Sequence, residues 1–167
     1  DLISRFSVEV VRQEFFDDYI DLFIRLYIAV SNDEKFSTVL WDAWVDRVKF
    51  TKNLLGKIVF IYFIQKKWWL GLSRDESWWR GDMNFMRSLW NRFHAWDTFV
   101  RPSTGNFYND YLEHLFYNGF NKDRREDDAY DPITRMRIPY LNGGLFKEDY
   151  KSWADFDAKV SNDIFSN

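Results

Sequence analysis

Asp157-Ala158-Lys159 carries the most reactive chemistry in this chain. A carboxylate two residues before a lysine has the spacing of the second half of a nuclease centre, where the carboxylate binds a metal ion and the ammonium polarises water. No Pro-Asp pair precedes it at a convincing distance. A divergent nuclease built on Asp157 and Lys159 therefore ranks below a plain surface strand.

A second candidate is basic. Arg47, Lys49, Lys52, Lys57, Lys66 and Lys67 fall on one long apolar segment. At about 100° per residue, Lys49, Lys52, Lys66 and Lys67 share one side of a helix and are candidates for contact with DNA phosphates. Val59 and Phe63 occupy the middle of that side. The stripe is broken, and the charges read more simply as the two wet ends of a buried helix.

The third candidate is Asn142-Gly143-Gly144, set inside Ile138 to Phe146. Successive N–H groups there could form an anion nest. No Gly-Lys-Ser/Thr follows, so it is not a phosphate-binding P-loop. A tight structural turn wedged into a core is the preferred reading. His94 and His114 are the only histidines and the chain has Cys 0, so neither a zinc site nor a Ser-His-Asp arrangement is in view. Glu113-His114 reads as a packing or surface pair.

These residues need elements to position them. Ser7 is a plausible cap for a helix to about Val30, with Val8, Val11, Phe15, Tyr19, Leu22, Leu26 and Ala29 inward and Asp17, Asp18 and Asp21 outward. A second helical region runs from Ser37 or Thr38 to about Trp69. Leu54 to Ile64 is apolar on nearly every face; it is too short for a membrane span and holds Lys57, so it reads as a central core helix. Gly71 to Asp82 is a loop holding Trp78 and Trp79. Met83 to Val100 is a third helix with Phe85, Leu89, Phe93 and Trp96 as its stripe. Asn106 caps a fourth that carries Phe107, Tyr111, Leu115 and Phe116. Asn121 to Pro132 is a charged, solvated connector, Ala158 to Val160 a short strand, and Ser161 or Asn162 a helix cap. The expected fold is mainly α: an irregular helical bundle around a buried central helix, with a loop-rich C-terminal third.

Composition sets limits on function. The 167 residues suit one domain, 1–167. An aromatic fraction of 21 %, with Phe 17, Trp 9 and Tyr 9, is out of the ordinary for a small core. Together with the Asp1 start, it suggests a fragment of a larger multidomain protein with an apolar face left open. Net charge −3 disfavours strong autonomous DNA binding. The lack of a secretory leader and of cysteine fits the cytoplasm, and no membrane partner is expected.

Several segments, in order, resemble one family. They are Phe6-Ser7-Val8-Glu9, Glu14 to Tyr19, Leu54 to Lys67, Asn84-Phe85, Phe107 to Phe116, Ile138 to Phe146 and Val160 to Phe165. This series is similar to the region just upstream of the methyltransferase domain in Eco57I-class (type IIG-like) restriction–modification enzymes. Two departures stand out: the family usually has Gly where this chain has Trp68, and often Asn-Arg or Gly-Arg at Gly56-Lys57. The resemblance implies a helical connector followed by an adenine-specific DNA methyltransferase domain using S-adenosylmethionine. A nuclease region, with its Mg2+, can precede it. The chain has no Asn-Pro-Pro-Tyr motif and no Phe-x-Gly-x-Gly cofactor loop, so no catalytic residue and no cofactor transfers to it. The expected partners are DNA and the neighbouring catalytic domains. The alternative is a helical protein-interaction module with an aromatic docking surface.

Overall fold

The computed structural model describes residues 2–32, 47–97, 99, 102–125, 128–141, 144–146 and 159–166, with the side chains of 2–9 and 11 outside that description. The chain is mainly helical. Helix α1 spans Leu2–Asn32, α2 Arg47–Gln65 and α3 Phe85–His94. A π-wound helix follows in two pieces, Tyr108–Leu112 and His114–Phe120, joined through Glu113. The only described sheet is the antiparallel pair β1 (Tyr130–Asp131) and β2 (Met136–Arg137), in register Tyr130 to Arg137. Short 3-10 turns at Gly144–Phe146 and Asn162–Phe165 complete the described elements.

Helix α2 is the central helix that its apolar run predicts. Phe50, Leu54, Leu55, Ile58, Ile61 and Ile64 are all buried, each contributing about 1.5–3 kcal/mol by leaving water. Packed against it are α1, α3 and the Gly144–Phe146 turn. Phe146 plugs the core, with its ring 4.9 Å from Phe120, 5.7 Å from Phe60 and 5.8 Å from Phe116. Ile138 is also buried, so the expected apolar clamp around the turn holds at those two residues.

Several expectations need correction. Ser7 does not cap α1, which begins at Leu2 and runs through it. Phe15 is 56 % exposed: among the described side chains of α1, contact with the core begins at about Tyr19. The third helix stops at His94, well short of Val100. There Trp96 turns left-handed (φ 57°), its N–H bonds to Phe93 O, and the Asp97 N–H bonds back to Arg92 O. That is a Schellman ending with tryptophan where glycine is usual. Trp96 is consequently 76 % exposed rather than part of the helix stripe.

A further correction concerns Asn121 to Pro132, which is not wholly solvated. Arg124 and Asp131 are buried in it. Asp131 Oδ2 lies 3.0 Å from His114 Nε2 and Oδ1 lies 3.5 Å from the Arg124 guanidinium. Arg124 also donates to the Gly119 and Asn118 carbonyls, satisfying acceptors at the end of the π-helix. Burial pushes the Asp131 carboxyl up, but His114, Thr134 and Arg124 more than offset it and leave it below its ordinary value. His114 is thus a packing residue that ties the π-helix to the β-pair.

Lys159 and Val160 form no strand, and Val160 is buried. The Ser161 cap is present, its Oγ accepting from Asp163 N at 3.4 Å. Val8 and Val11 lie outside the described side chains, and the start of the second helical region, Asn142, Gly143 and Asp157 lie outside the described residues. No helix among the described residues is long and apolar enough to cross a membrane.

Candidate nucleic-acid interface

The four candidate lysines divide into two groups. Lys49 and Lys52 are exposed in the first turns of α2, Lys66 and Lys67 just beyond its C-terminus. The 14 residues from Lys52 to Lys66 place the groups about 21 Å apart at the helical rise. Between them Val59 is half-buried, and Phe63 is 57 % exposed with the Lys67 ammonium 5.6 Å from its ring centre. Lys57 belongs to neither wet end. It is buried, and its ammonium meets the Tyr117 hydroxyl at 3.2 Å.

Beyond Lys67 the chain builds a surface that periodicity alone does not show. Helix α2 ends as α3 does: the Trp68 N–H bonds to Gln65 O at 2.9 Å, the Trp69 N–H to Ile64 O at 3.4 Å, and Trp68 sits at φ 61°. Trp68 therefore occupies the left-handed position of the helix ending, where the resembled family carries glycine. The loop from Gly71 then returns. The Gly81 N–H bonds to Trp68 O at 2.9 Å and the Asp82 N–H to Leu70 O at 2.7 Å. Only glycine permits that approach, since a Cβ on Gly81 would stand 2.2 Å from Leu70 O.

The clamp brings the two tryptophan pairs together. Trp69 and Trp79 meet edge to face at 5.2 Å, and Trp79, at φ 76°, is 63 % exposed. Trp78 is held from below, with the Arg137 guanidinium 4.3 Å from its ring centre while Arg137 also donates to Glu76 O at 2.7 Å. Trp68 and Trp79 thus face solvent beside Lys66, Lys67 and Arg80, all exposed. Among nearby acids, Glu76 is engaged by the Ser73 N–H at 2.6 Å; that bond, the Ser73 hydroxyl and Arg80 hold its carboxyl below the ordinary value.

Exposed rings flanked by cations can stack bases and meet phosphates; they bind rather than react. Among the described residues, no group of three or more His, Cys, Asp or Glu is placed to hold a metal ion. Gly144 opens the Gly144–Phe146 turn, and nothing described lies within 4 Å of where its Cβ would be. Lys66 and Lys67 stand out in the sequence by type, whereas the exposed Trp68–Trp79 surface beside them does not. Its signal was two Trp-Trp pairs bracketing a loop that ends in Arg80-Gly81.

The chain is 27 % identical over 107 residues to a protein of Methanocaldococcus jannaschii named "Putative type II restriction enzyme and methyltransferase". The likeness is to a restriction–modification protein. It covers 63 % of this chain, which spans only 8 % of that relative's length. No family model matches the chain, and no solved structure matches it.

Proposed function

We propose that this chain is a non-catalytic helical domain of a DNA restriction–modification protein, of the Eco57I-class (type IIG-like) kind, whose catalytic part is an adenine-specific methyltransferase. Its role is to orient the catalytic domains and to touch the DNA backbone through Lys66, Lys67 and Arg80, with Trp68 and Trp79 against sugars or bases. S-adenosylmethionine, and Mg2+ where a nuclease is present, belong to the catalytic domains. The observation that carries the reading is the 107-residue similarity to the methanogen protein. The basic and aromatic surface supports it.

The coding sequence after Asn167 tests the reading directly. A following segment bearing Asn-Pro-Pro-Tyr supports it, and a stop codon immediately after Asn167 overturns it. Titration of this chain with DNA at rising salt tests the contact surface. Weak binding is expected, with a salt slope that falls by about 1.4–1.8 when Lys66 and Lys67 are both replaced by Ala. An unchanged slope removes these lysines from the interface.

A second reading, a protein-interaction module, has its own support. Phe16, Ile20, Ile24 and Ile28 form an exposed ridge along α1 at four-residue spacing, the geometry by which helices interlock. Ile20→Lys with Ile24→Lys separates the readings: it abolishes association in a protein-interaction module and leaves DNA binding unchanged.

A further inference from the structure

A cleft of about 220 Å3 opens where α1, α2, α3, the start of the π-helix and the Asn162–Phe165 turn converge. Its walls combine aliphatic side chains with aromatic rings. Trp90 meets Phe107 edge to face at 5.0 Å, and Phe107 meets Phe165 at 5.1 Å. Tyr62 closes another side, 48 % exposed, with no side-chain hydrogen bond among the described residues.

The charge of the lining is one-sided. Arg25 from α1 and Arg87 from α3 both line the cleft, and no side-chain carboxylate does among the described residues, in a chain of net charge −3. Arg25 gives its Nε to Asp21 at 2.9 Å, which leaves its terminal nitrogens to donate. Arg87 is exposed and makes no ion pair among the described residues. Two guanidiniums from different helices suit a dianion better than a single carboxylate, because a phosphomonoester carries close to two charges. The volume holds roughly fifteen water-sized spheres, enough for a flat ring system with its anion left at the rim.

We propose that this cleft binds a nucleoside monophosphate unit, the base against Trp90, Phe107 and Tyr62 and the phosphate on Arg87 and Arg25. The unit has two sources: a free mononucleotide, whose monoester is the dianion, or one residue of a nucleic-acid strand, whose two flanking phosphodiesters carry one charge each. Tyr62 lies one helical turn before Lys66, so a strand following Lys66 and Lys67 passes the cleft mouth. The free-nucleotide form is independent of the restriction–modification reading, and the strand form extends it.

The test is titration of this chain with dAMP, deoxyadenosine, benzoate and oligo(dA), followed by tryptophan fluorescence. Saturable dAMP binding is expected, at least tenfold tighter than deoxyadenosine and tighter than benzoate. Arg87→Ala weakens it about tenfold or more, Arg87→Lys restores part, and unchanged helical circular dichroism shows that each variant is folded. Oligo(dA) binding more than tenfold tighter than dAMP, and lost in Arg87→Ala, assigns the site to a strand; equal affinities assign it to the free nucleotide. No saturable binding of either probe, benzoate binding as tightly as dAMP, or affinity unchanged in Arg87→Ala overturns the proposal. A stop codon after Asn167 combined with dAMP binding would overturn the restriction–modification reading and leave this one standing.

Discussion

The ammonium of Lys57 lies 3.2 Å from the Tyr117 hydroxyl and 4.7 Å from the centre of the same ring, with the Phe116 ring at 5.6 Å. A cation in the middle of the central helix is thus held by aromatic faces and a phenol oxygen. The two residues are 60 apart in sequence and lock α2 to the π-helix.

Removing either partner separates the cost of the charge from the value of the contact. Tyr117→Phe takes away one acceptor of a buried ammonium, so it should destabilise by about 1–3 kcal/mol. Lys57→Met removes the charge together with its desolvation penalty and keeps the stem volume, so its loss should be smaller. Urea denaturation midpoints of the two variants check the order; a larger loss for Lys57→Met would show the ion to be net stabilising.

The two left-handed tryptophans at helix ends offer a paired test. Trp96→Gly relieves the backbone at a site whose ring is 76 % exposed, and should stabilise by about 1 kcal/mol. Trp68→Gly relieves the same strain but gives up a ring that is only 44 % exposed, so its gain should be smaller. If Trp68 touches DNA, only Trp68→Gly should also weaken binding. Thermal melts with parallel DNA titrations distinguish the pair.

Gly81→Ala should be far more damaging than its size suggests. The added methyl would meet Leu70 O at 2.2 Å and Trp68 O at 2.6 Å, so the return strand must lift away. A loss of about 2–3 kcal/mol is expected, with the Trp69–Trp79 contact broken. Near-ultraviolet circular dichroism should register the lost tryptophan pair; an unchanged spectrum would refute the clamp.

Acid and alkali should act on different groups. The folded Asp131 carboxyl lies below its ordinary value of 3.8, so its stabilisation is present above that pH and drains away as pH falls through the folded value. Asp131→Asn should cost about 3 kcal/mol near neutrality and flatten this acid limb. Burial chiefly raises Tyr111 to about 12 and raises Tyr108 from its ordinary 10 as well. Their stabilisation is intact below pH 10 and is lost as pH climbs through the folded values. Stability against pH, with tyrosinate absorbance, checks both limbs.

Much of the fold was legible because Leu54 to Ile64 is apolar on nearly every face, which marks a core helix, although Tyr62 and Phe63 leave one side of it open. Helix ends were less so. Phe93 and Trp96 continue the stripe of α3, and nothing local announces that a tryptophan will take glycine's place at the ending. The segment from Asn121 to Pro132 misled because charge normally means water; Asp131 is buried against His114, Thr134 and Arg124, and Arg124 against Asp131 and two carbonyls. Lys66 and Lys67 stood out by type. The Trp68–Trp79 surface did not, since it depends on the pairing of Trp68 with Gly81 across a loop.

The π-wound segment has a consequence for how this chain tolerates changes in length. Each turn of Tyr108–Phe120 closes over one more residue than an α-turn does. Deleting a single residue there would, with the winding kept, swing everything downstream by roughly a quarter turn. His114 would then turn away from Asp131, and Tyr117 from Lys57, although neither had been altered. Among related chains, insertions and deletions should therefore gather in the open loop around Ser73 to Ser77 and be absent between Tyr108 and Phe120.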